Sequence, residues 1–320
     1  MREFANSHQS QKSPWHGLLI LGANGQVGRS LIQQCNDRGI QHIAWNRAQA
    51  DLRDPDKLIV KLQQLKPKVV INAAAFTNMD AAEVEPGRNE NQIVNAEAPR
   101  RLAGWCHDQN SVFVHYSTDA VFAGDGELAY KETDPTDPVN AYGEAKARGE
   151  RGVLESGGKH LTFRTSWVFS ERGANFLNTI IALAREKQTL KVVADQWGSP
   201  TYAWDLAHFT LLALDRTLAW NQFPSGIYHL SNTGWTSRFS QAQFIISALK
   251  QRNFELAAQS VEPIASEEYT RPARRAKNSR LDIGKFVQTF ACEPTSWQNA
   301  TLRCLEKKFS QGQKESEIHY

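Results

Sequence analysis

The chain is short of several things, and each shortage removes a class of function. Cysteine is scarce: Cys35, Cys106, Cys292 and Cys304 stand apart, and no CxxC pair occurs. That scatter fits reduced thiols in a cytoplasmic protein and not a disulfide frame or a zinc site. No apolar stretch approaches the ~20 residues of a membrane span. The start, Met1 to His16, is polar, lacks an apolar signal core and reads as a loose tail. An excess of one charge is missing too. With a net charge of +3 and dispersed Lys and Arg there is no basic stripe, which argues against a nucleic-acid polymer as partner. No segment repeats at a fixed period, and low complexity is confined to the polar tail from Ser310 to Tyr320. What remains is a chain of 320 residues, long enough to bury a large core as one composite domain or two.

Glycine is present where it matters most. Leu18-Leu19-Ile20-Leu21 reads as a buried parallel strand. Gly22-Ala23-Asn24-Gly25-Gln26-Val27-Gly28 follows and opens a helical stretch, a GxxGxxG turn between strand and helix. Glycines in that setting permit a tight turn, close approach of a pyrophosphate and close helix–strand packing, and the helix N-terminus faces the phosphates. His42 to Trp45 is the expected second strand. It ends at Asn46-Arg47 instead of the acidic residue that binds a ribose 2′-hydroxyl, and an arginine there suits a 2′-phosphate, hence NADPH, with NADH as the alternative. Asp51 and Leu52 lie at a distance suited to the adenine side.

Strand and helix patterns alternate onward: Asp56 to Leu65, Val69 to Asn72, a long helix from Asn91 to His107, Val112 to Tyr116, Tyr142 to Glu155 and Leu161 to Arg164. The alternation predicts an α/β fold of Rossmann type, a doubly wound parallel sheet whose ligands bind beyond the carboxyl ends of the strands. Gly22, Ala73 and Ser117 all fall just after such ends. Residues 17–167 are expected to form the NAD(P)-binding domain, with some later segments returning to it. Residues 168–309 are expected to form mainly a smaller substrate lobe, with helices over Asn175 to Lys187 and Ser240 to Gln251 and a strand over Ile227 to Leu230.

One constellation carries chemistry. Tyr142 and Lys146 are four apart on a helix, so they share a face, and a charged lysine beside a phenol lowers the phenol's pKa. Such a tyrosine can hand a proton to a carbonyl oxygen, which a hydroxyl from Thr118 can also hold. These are the parts of a ketone reductase, given a hydride donor opposite. Among other polar residues, Glu83 and Glu85 are expected to serve a helix start, and His115 to be a satisfied strand residue.

With these residues in view, the chain resembles the extended short-chain dehydrogenases/reductases, and among them the dTDP-4-dehydrorhamnose reductases, from about Leu18 to about Phe309. The marks are Gly22 to Gly28, Asn72 to Thr77 with Asp80 and Glu83 to Pro86, Ser117 to Gly124, and Tyr142 to Lys146 with Gly149-Glu150. Arg164 to Phe169, Asp195 to Pro200 and Asn278 to Leu281 complete them. The resemblance implies NADPH-dependent reduction of a sugar-nucleotide C4 ketone for surface polysaccharide synthesis. Tyr142 is then the general acid, Lys146 the holder of the nicotinamide ribose, and Thr118 the partner of the reacting oxygen. It implies that Gly22, Asn24, Gly25, Gln26, Val27, Gly28, Ala73, Ala74 and Ala75 line the cofactor. Asp119, Val121, Phe122, Trp167 and Gln196 would line the substrate cleft, with Arg275 and Ser279 at the nucleotide end. Two positions depart from family habit: Ala120, where an aromatic is usual, and Ala276 after Arg275, where proline is usual. They leave open a reductase or epimerase of another nucleotide sugar, and fold alone leaves open a non-catalytic regulatory subunit. Some relatives dimerise through magnesium held by glutamates, and the matching positions here are Ser30, Trp204 and Lys307, none a carboxylate. No structural metal is expected, and a monomer or a weak dimer without a metal bridge.

Overall fold

The computed structural model describes residues 17–217 and 220–317, with side chains described as far as Ser310. The tail expected over residues 1–16 lies outside the described residues. In chain order the first lobe runs β1 (Leu18–Leu21), α1 (Gln26–Asp37), β2 (His42–Trp45), α2 (Pro55–Leu65), β3 (Val69–Asn72), α3 (Gly87–Gln92), α4 (Ala98–Asp108), β4 (Val112–Thr118), α5 (Ala141–Glu155) and β5 (His160–Thr165). Then come β6 (Val168–Phe169), α6 (Phe176–Glu186), β7 (Thr189–Val193), β8 (Trp197–Gly198), β9 (Thr201–Tyr202), α7 (Ala203–Thr217) and β10 (Gly226–His229). The chain closes with β11 (Thr236–Ser237), α8 (Arg238–Lys250), β12 (Ser260–Ile264), β13 (Asn278–Ser279), α9 (Gly284–Phe290) and α10 (Trp297–Glu317). The last helix therefore carries on into the segment expected as a polar tail from Ser310.

The main sheet has six strands in the order β10-β5-β4-β3-β1-β2, every pairing parallel. The chain leaves β1 for β2 on one side and returns to β3 on the other, so the strand order reverses between β1 and β3. That reversal opens a crevice at the carboxyl ends of the strands. The period-2 pleat sends Leu18 and Ile20 to one face, where they pack with Val114, Phe163, Leu211 and Phe286, and Leu19 and Leu21 to the other, with Leu58, Leu102 and Val153. β10 and α7, far along the chain, complete this lobe: β10 pairs with β5, and Leu206, Leu211 and Leu214 of α7 pack into the first face. The remainder builds its own core from Phe169, Leu177, Ile180, Leu190, Tyr202, Ile245 and Leu249.

The helix expected from Asn91 to His107 is helical throughout but not regular. Between α3 and α4 the segment Ile93–Glu97 is a π-turn. Asn95 within it ties this turn to the loop after β3, accepting from the Phe76 N–H at 3.1 Å and donating to the Phe76 carbonyl at 2.8 Å. Such turns mark functional helices often enough to be noted, and here the turn braces the floor of the crevice.

Candidate active site

β1 ends at Gly22, whose φ of +82° is the left-handed turn that glycine makes without strain. A Cβ on Gly22 would lie 2.6 Å from the Ala74 nitrogen, and one on Gly28 would lie 2.1 Å from the Gly22 carbonyl oxygen. Both contacts are with backbone, so the turn closes on the Ala73-Ala74 segment, and the first turn of α1 on Gly22 and Ala23, only because both residues lack side chains. The result is a shallow cradle floored by Ala73, Ala74 and the exposed Ala75, with the N-terminus of α1 pointing into it. A dinucleotide pyrophosphate fits such a cradle, and the residues present suit it.

Other expected cofactor residues have partners within the protein. Gln26 uses its side-chain oxygen to accept from Ser170 at 2.7 Å and Asn175 at 2.9 Å, which ties α1 to the second lobe. Leu52 is 4 % exposed and packs in the core with Ala50 and Leu58. Asp51 is held in a fork by Arg53, whose hydrogen bonds and charge keep the carboxyl below its usual range. Arg47 stands at the end of β2 as expected, but it bridges Glu90 at 2.7 Å and Asp51 at 3.8 Å. It is 61 % exposed there, in surface pairs worth little energy, so exchanging carboxylate partners for a phosphate costs about 1 kcal/mol at most.

β4 delivers Thr118 and Asp119 to the crevice, and α5 delivers Tyr142 and Lys146. The start of α5 is capped twice: Asn140 accepts from the Gly143 N–H at 2.8 Å, and Glu83 from the Ala141 N–H at 2.8 Å. Glu83 thus serves a helix start, though of α5 and not of its own segment, while Glu85 accepts from Asn89 in α3 at 3.3 Å. Tyr142, on the first turn, is fixed by these caps. Its phenol faces the Thr118 hydroxyl. The expected lowering of its pKa is not what the structure brings about. Burial raises it, the Asp119 charge raises it further, and only the contact with Thr118 opposes them. Lys146 instead donates to the Tyr116 carbonyl at 2.7 Å, and burial pulls its own pKa down to about 8 against the charge of Glu150. A resting phenol that holds its proton firmly is the correct state for a proton donor. An ammonium has three hydrogens, so Lys146 keeps donors for a ribose after serving Tyr116.

Asp119 lies deep beside this pair. It accepts from Thr118 Oγ1 at 2.8 Å and Ser166 Oγ at 2.9 Å, and Ser279 faces it. Burial raises its pKa. Val121 and Phe122, expected to line the cleft, are 0 % exposed: they form a small core with Leu281, and Phe122 stacks on Tyr130 at 4.2 Å. They support the cleft wall from behind. His115 is buried with Nδ1 on Asn72 at 3.3 Å, while its Nε2 finds no partner, so the expected satisfaction is only half met.

Trp167 is half-buried, with a φ of +48° that is strained for a bulky side chain. The turn sets its indole against Gly198, and the Arg238 guanidinium stacks on it 3.5 Å from the ring centroid. Arg238 drew no notice in the sequence, since a lone arginine opening α8 carries no motif. It belongs to the site, because its charge acts on Asp119.

Beside the catalytic set, not over it, is a cavity of about 910 Å³ lined in part by Gly124, Gln196, Arg271, Arg275, Ala276 and Asn278. Arg275 and Gln196 border this cavity; Ser279 and Trp167 lie nearer the chemistry. Asp80, also unassigned from sequence, anchors its rim by accepting from Arg275 at 3.0 Å and Arg271 at 3.1 Å. Gln196 donates to Ser266 at 3.0 Å. On the far side of α1, the Lys307 ammonium sits 3.7 Å from the Trp204 ring centroid and 3.1 Å from Gln33 Oε1. Among the described residues no cluster of three His, Cys, Asp or Glu could hold a metal, and no helix is long and apolar enough to cross a membrane.

Comparison with known proteins agrees with this geometry. A family model described as the RmlD substrate binding domain matches residues 16–309. A dTDP-4-dehydrorhamnose reductase of Burkholderia thailandensis is 42 % identical over 299 residues, 92 % of this chain and 99 % of that protein. One from Escherichia coli K12 is 36 % identical over 297 residues, 92 % of this chain and 98 % of that one. The crystal structure of dTDP-4-dehydrorhamnose reductase from Bacillus anthracis in complex with NADP superposes with a TM-score of 0.81 at 32 % identity, covering 91 % of this chain and 98 % of that chain. The chain belongs to the RmlD family, that of the dTDP-4-dehydrorhamnose reductases.

Proposed function

We propose that the protein reduces the C4 keto group of dTDP-4-dehydro-L-rhamnose with NADPH, giving dTDP-L-rhamnose for surface polysaccharide synthesis in the cytoplasm. The observation that carries this reading is the meeting of Thr118, Tyr142 and Lys146 beside the Gly22–Gly28 cradle, in a chain that matches reductases of this name along nearly all their length. When bound, the reduced nicotinamide supplies a hydride to C4. Everything else is the protein's own work. Tyr142, protonated because it is buried, gives its proton to the C4 oxygen as negative charge develops there. Thr118 holds the same oxygen. Lys146 offers its spare hydrogens to the ribose and keeps positive charge near the phenolate that forms. Trp167 and Arg238 wall the sugar, and the cavity at Arg275 takes the nucleotide end, where a guanidinium suits a diphosphate.

Ala276 borders that cavity and Ala120 follows Asp119, so a neighbouring nucleotide sugar is the second reading. NADPH oxidation with a panel of nucleotide 4-keto sugars tests both. Preference for the dTDP-4-dehydro-L-rhamnose substrate supports the first reading, preference for another sugar supports the second, and silence on all of them sinks both. The Lys307–Trp204 stack fills the positions where a metal bridge would need carboxylates, which supports a monomer or a weak dimer. Size-exclusion with and without chelator should give one elution volume; a dimer that dissociates on chelation would refute this.

A further inference from the structure

A hydroxyl carries one hydrogen. Thr118 spends its hydrogen on Asp119 Oδ1 at 2.8 Å, and its oxygen already accepts from the Ala120 N–H at 3.1 Å. While Asp119 is ionised, Thr118 therefore has no hydrogen left for a reacting carbonyl oxygen or for the Tyr142 phenol. Asp119 itself is 9 % exposed, makes no ion pair among the described residues, and sits between the Ser166 hydroxyl at 2.9 Å and Ser279. The charged and titratable groups facing it are Tyr142 from α5 and Arg238 from the start of α8; the residue after β5 and strand β13 bring the uncharged Ser166 and Ser279.

We propose that Asp119 is a positioning residue and proton reserve for the reduction, acting through Thr118. In its neutral form the carboxyl donates to Thr118 Oγ1 and reverses that hydrogen bond. The Thr118 hydrogen is then free for the reacting oxygen or for Tyr142, one at a time. As Tyr142 gives its proton to the C4 oxygen, its phenolate takes the Thr118 hydrogen, and Thr118 takes the carboxyl hydrogen. The alcohol gains one proton, Tyr142 and Thr118 end as they began, and Asp119 ends as a carboxylate that is reprotonated from solvent after product leaves. Burial favours the neutral carboxyl and Arg238 opposes it. The cycle rests on the reductase reading above.

The test is the pH profile of single-turnover NADPH oxidation by the wild-type protein and by Asp119→Asn, whose amide donates to Thr118 at every pH. A wild-type protein inactive on every 4-keto sugar nucleotide speaks against the reductase reading itself and removes the ground for this proposal. With an active wild type and saturating NADPH, the rate should fall with rising pH through two deprotonations, that of Lys146, which burial brings to about 8, and that of Asp119. Asp119→Asn should keep the first and lose the second while binding NADPH normally, and an unchanged profile in Asp119→Asn overturns the proposal. If that variant does not fold, the wild type in mixtures of H₂O and D₂O decides: a curved proton inventory, from several protons in flight, is expected, and a linear one overturns the relay.

Discussion

Replacing Glu150 by Gln perturbs stability and chemistry together. Glu150 and Arg164 are 4 % and 3 % exposed and form two bonds, Nε to Oε1 at 2.9 Å and Nη2 to Oε2 at 2.7 Å. The guanidinium already leaves Nη1 without a partner and rests 4.9 Å from the Phe122 ring centroid. Gln keeps the shape but removes the counter-charge, so a buried cation is left uncompensated at a cost of about 3–5 kcal/mol. Adding Arg164→Met removes that cation and should restore much of the loss, a coupling of about 0.5–3 kcal/mol. The second effect lies one helical turn back. The Glu150 charge supports the charged form of Lys146, whose pKa burial has already lowered to about 8. Without it the pKa moves lower still. NADPH affinity, which uses charged Lys146, should then fade at lower pH than in the wild type, and Arg164→Met should not rescue that. Urea denaturation and NADPH titrations across pH measure the two effects. A loss below about 1 kcal/mol, the range of exposed pairs, with an unchanged pH midpoint for NADPH would refute the reasoning.

Two further predictions follow from the site's geometry. Burial lowers the Lys146 pKa to about 8 from the ordinary lysine value of 10.5, so the unfolded chain binds the extra proton between those values and stability should rise with pH across that window. Lys146→Met should flatten this rise and stabilise the cofactor-free protein at neutral pH by about 2–3 kcal/mol, from roughly 1.4 kcal/mol per pKa unit less the bond to Tyr116; equal denaturation curves across pH would contradict it. Gly28→Ala drives a methyl into the Gly22 carbonyl, a strain of about 1–3 kcal/mol against about 1 kcal/mol of helix propensity gained. The cradle should open, with NADPH affinity down by about tenfold or more; unchanged affinity would show that the turn has slack.

How much of this was legible in the sequence follows the range of the interactions. The glycine turn and the Tyr142–Lys146 pairing are local, set by a turn and by helical periodicity, and they stand where expected. The alternation of elements showed the parallel sheet, while β10 joining beside β5 depends on pairing across more than sixty positions, from Leu161 to Gly226. Val121 and Phe122 turn their side chains into the small core behind the cleft, which was not legible because a motif says which residues sit near a cleft, not which way their side chains turn. Arg238 was missed because stacking on Trp167 is a contact between residues distant in sequence. The pKa of Tyr142 came out in the opposite direction because spacing shows neither the depth of burial nor the Asp119 charge beside the phenol, and both raise it.

The central claim is that the Tyr142 phenol protonates the reduced oxygen. Single-turnover oxidation of NADPH by dTDP-4-dehydro-L-rhamnose, compared between the wild type and Tyr142→Phe, tests it most directly. The variant should bind NADPH as the wild type does and lose rate by about 10²–10⁴-fold, the worth of a positioned general acid. A variant that turns over within about tenfold of the wild type, well short of that range, would contradict it.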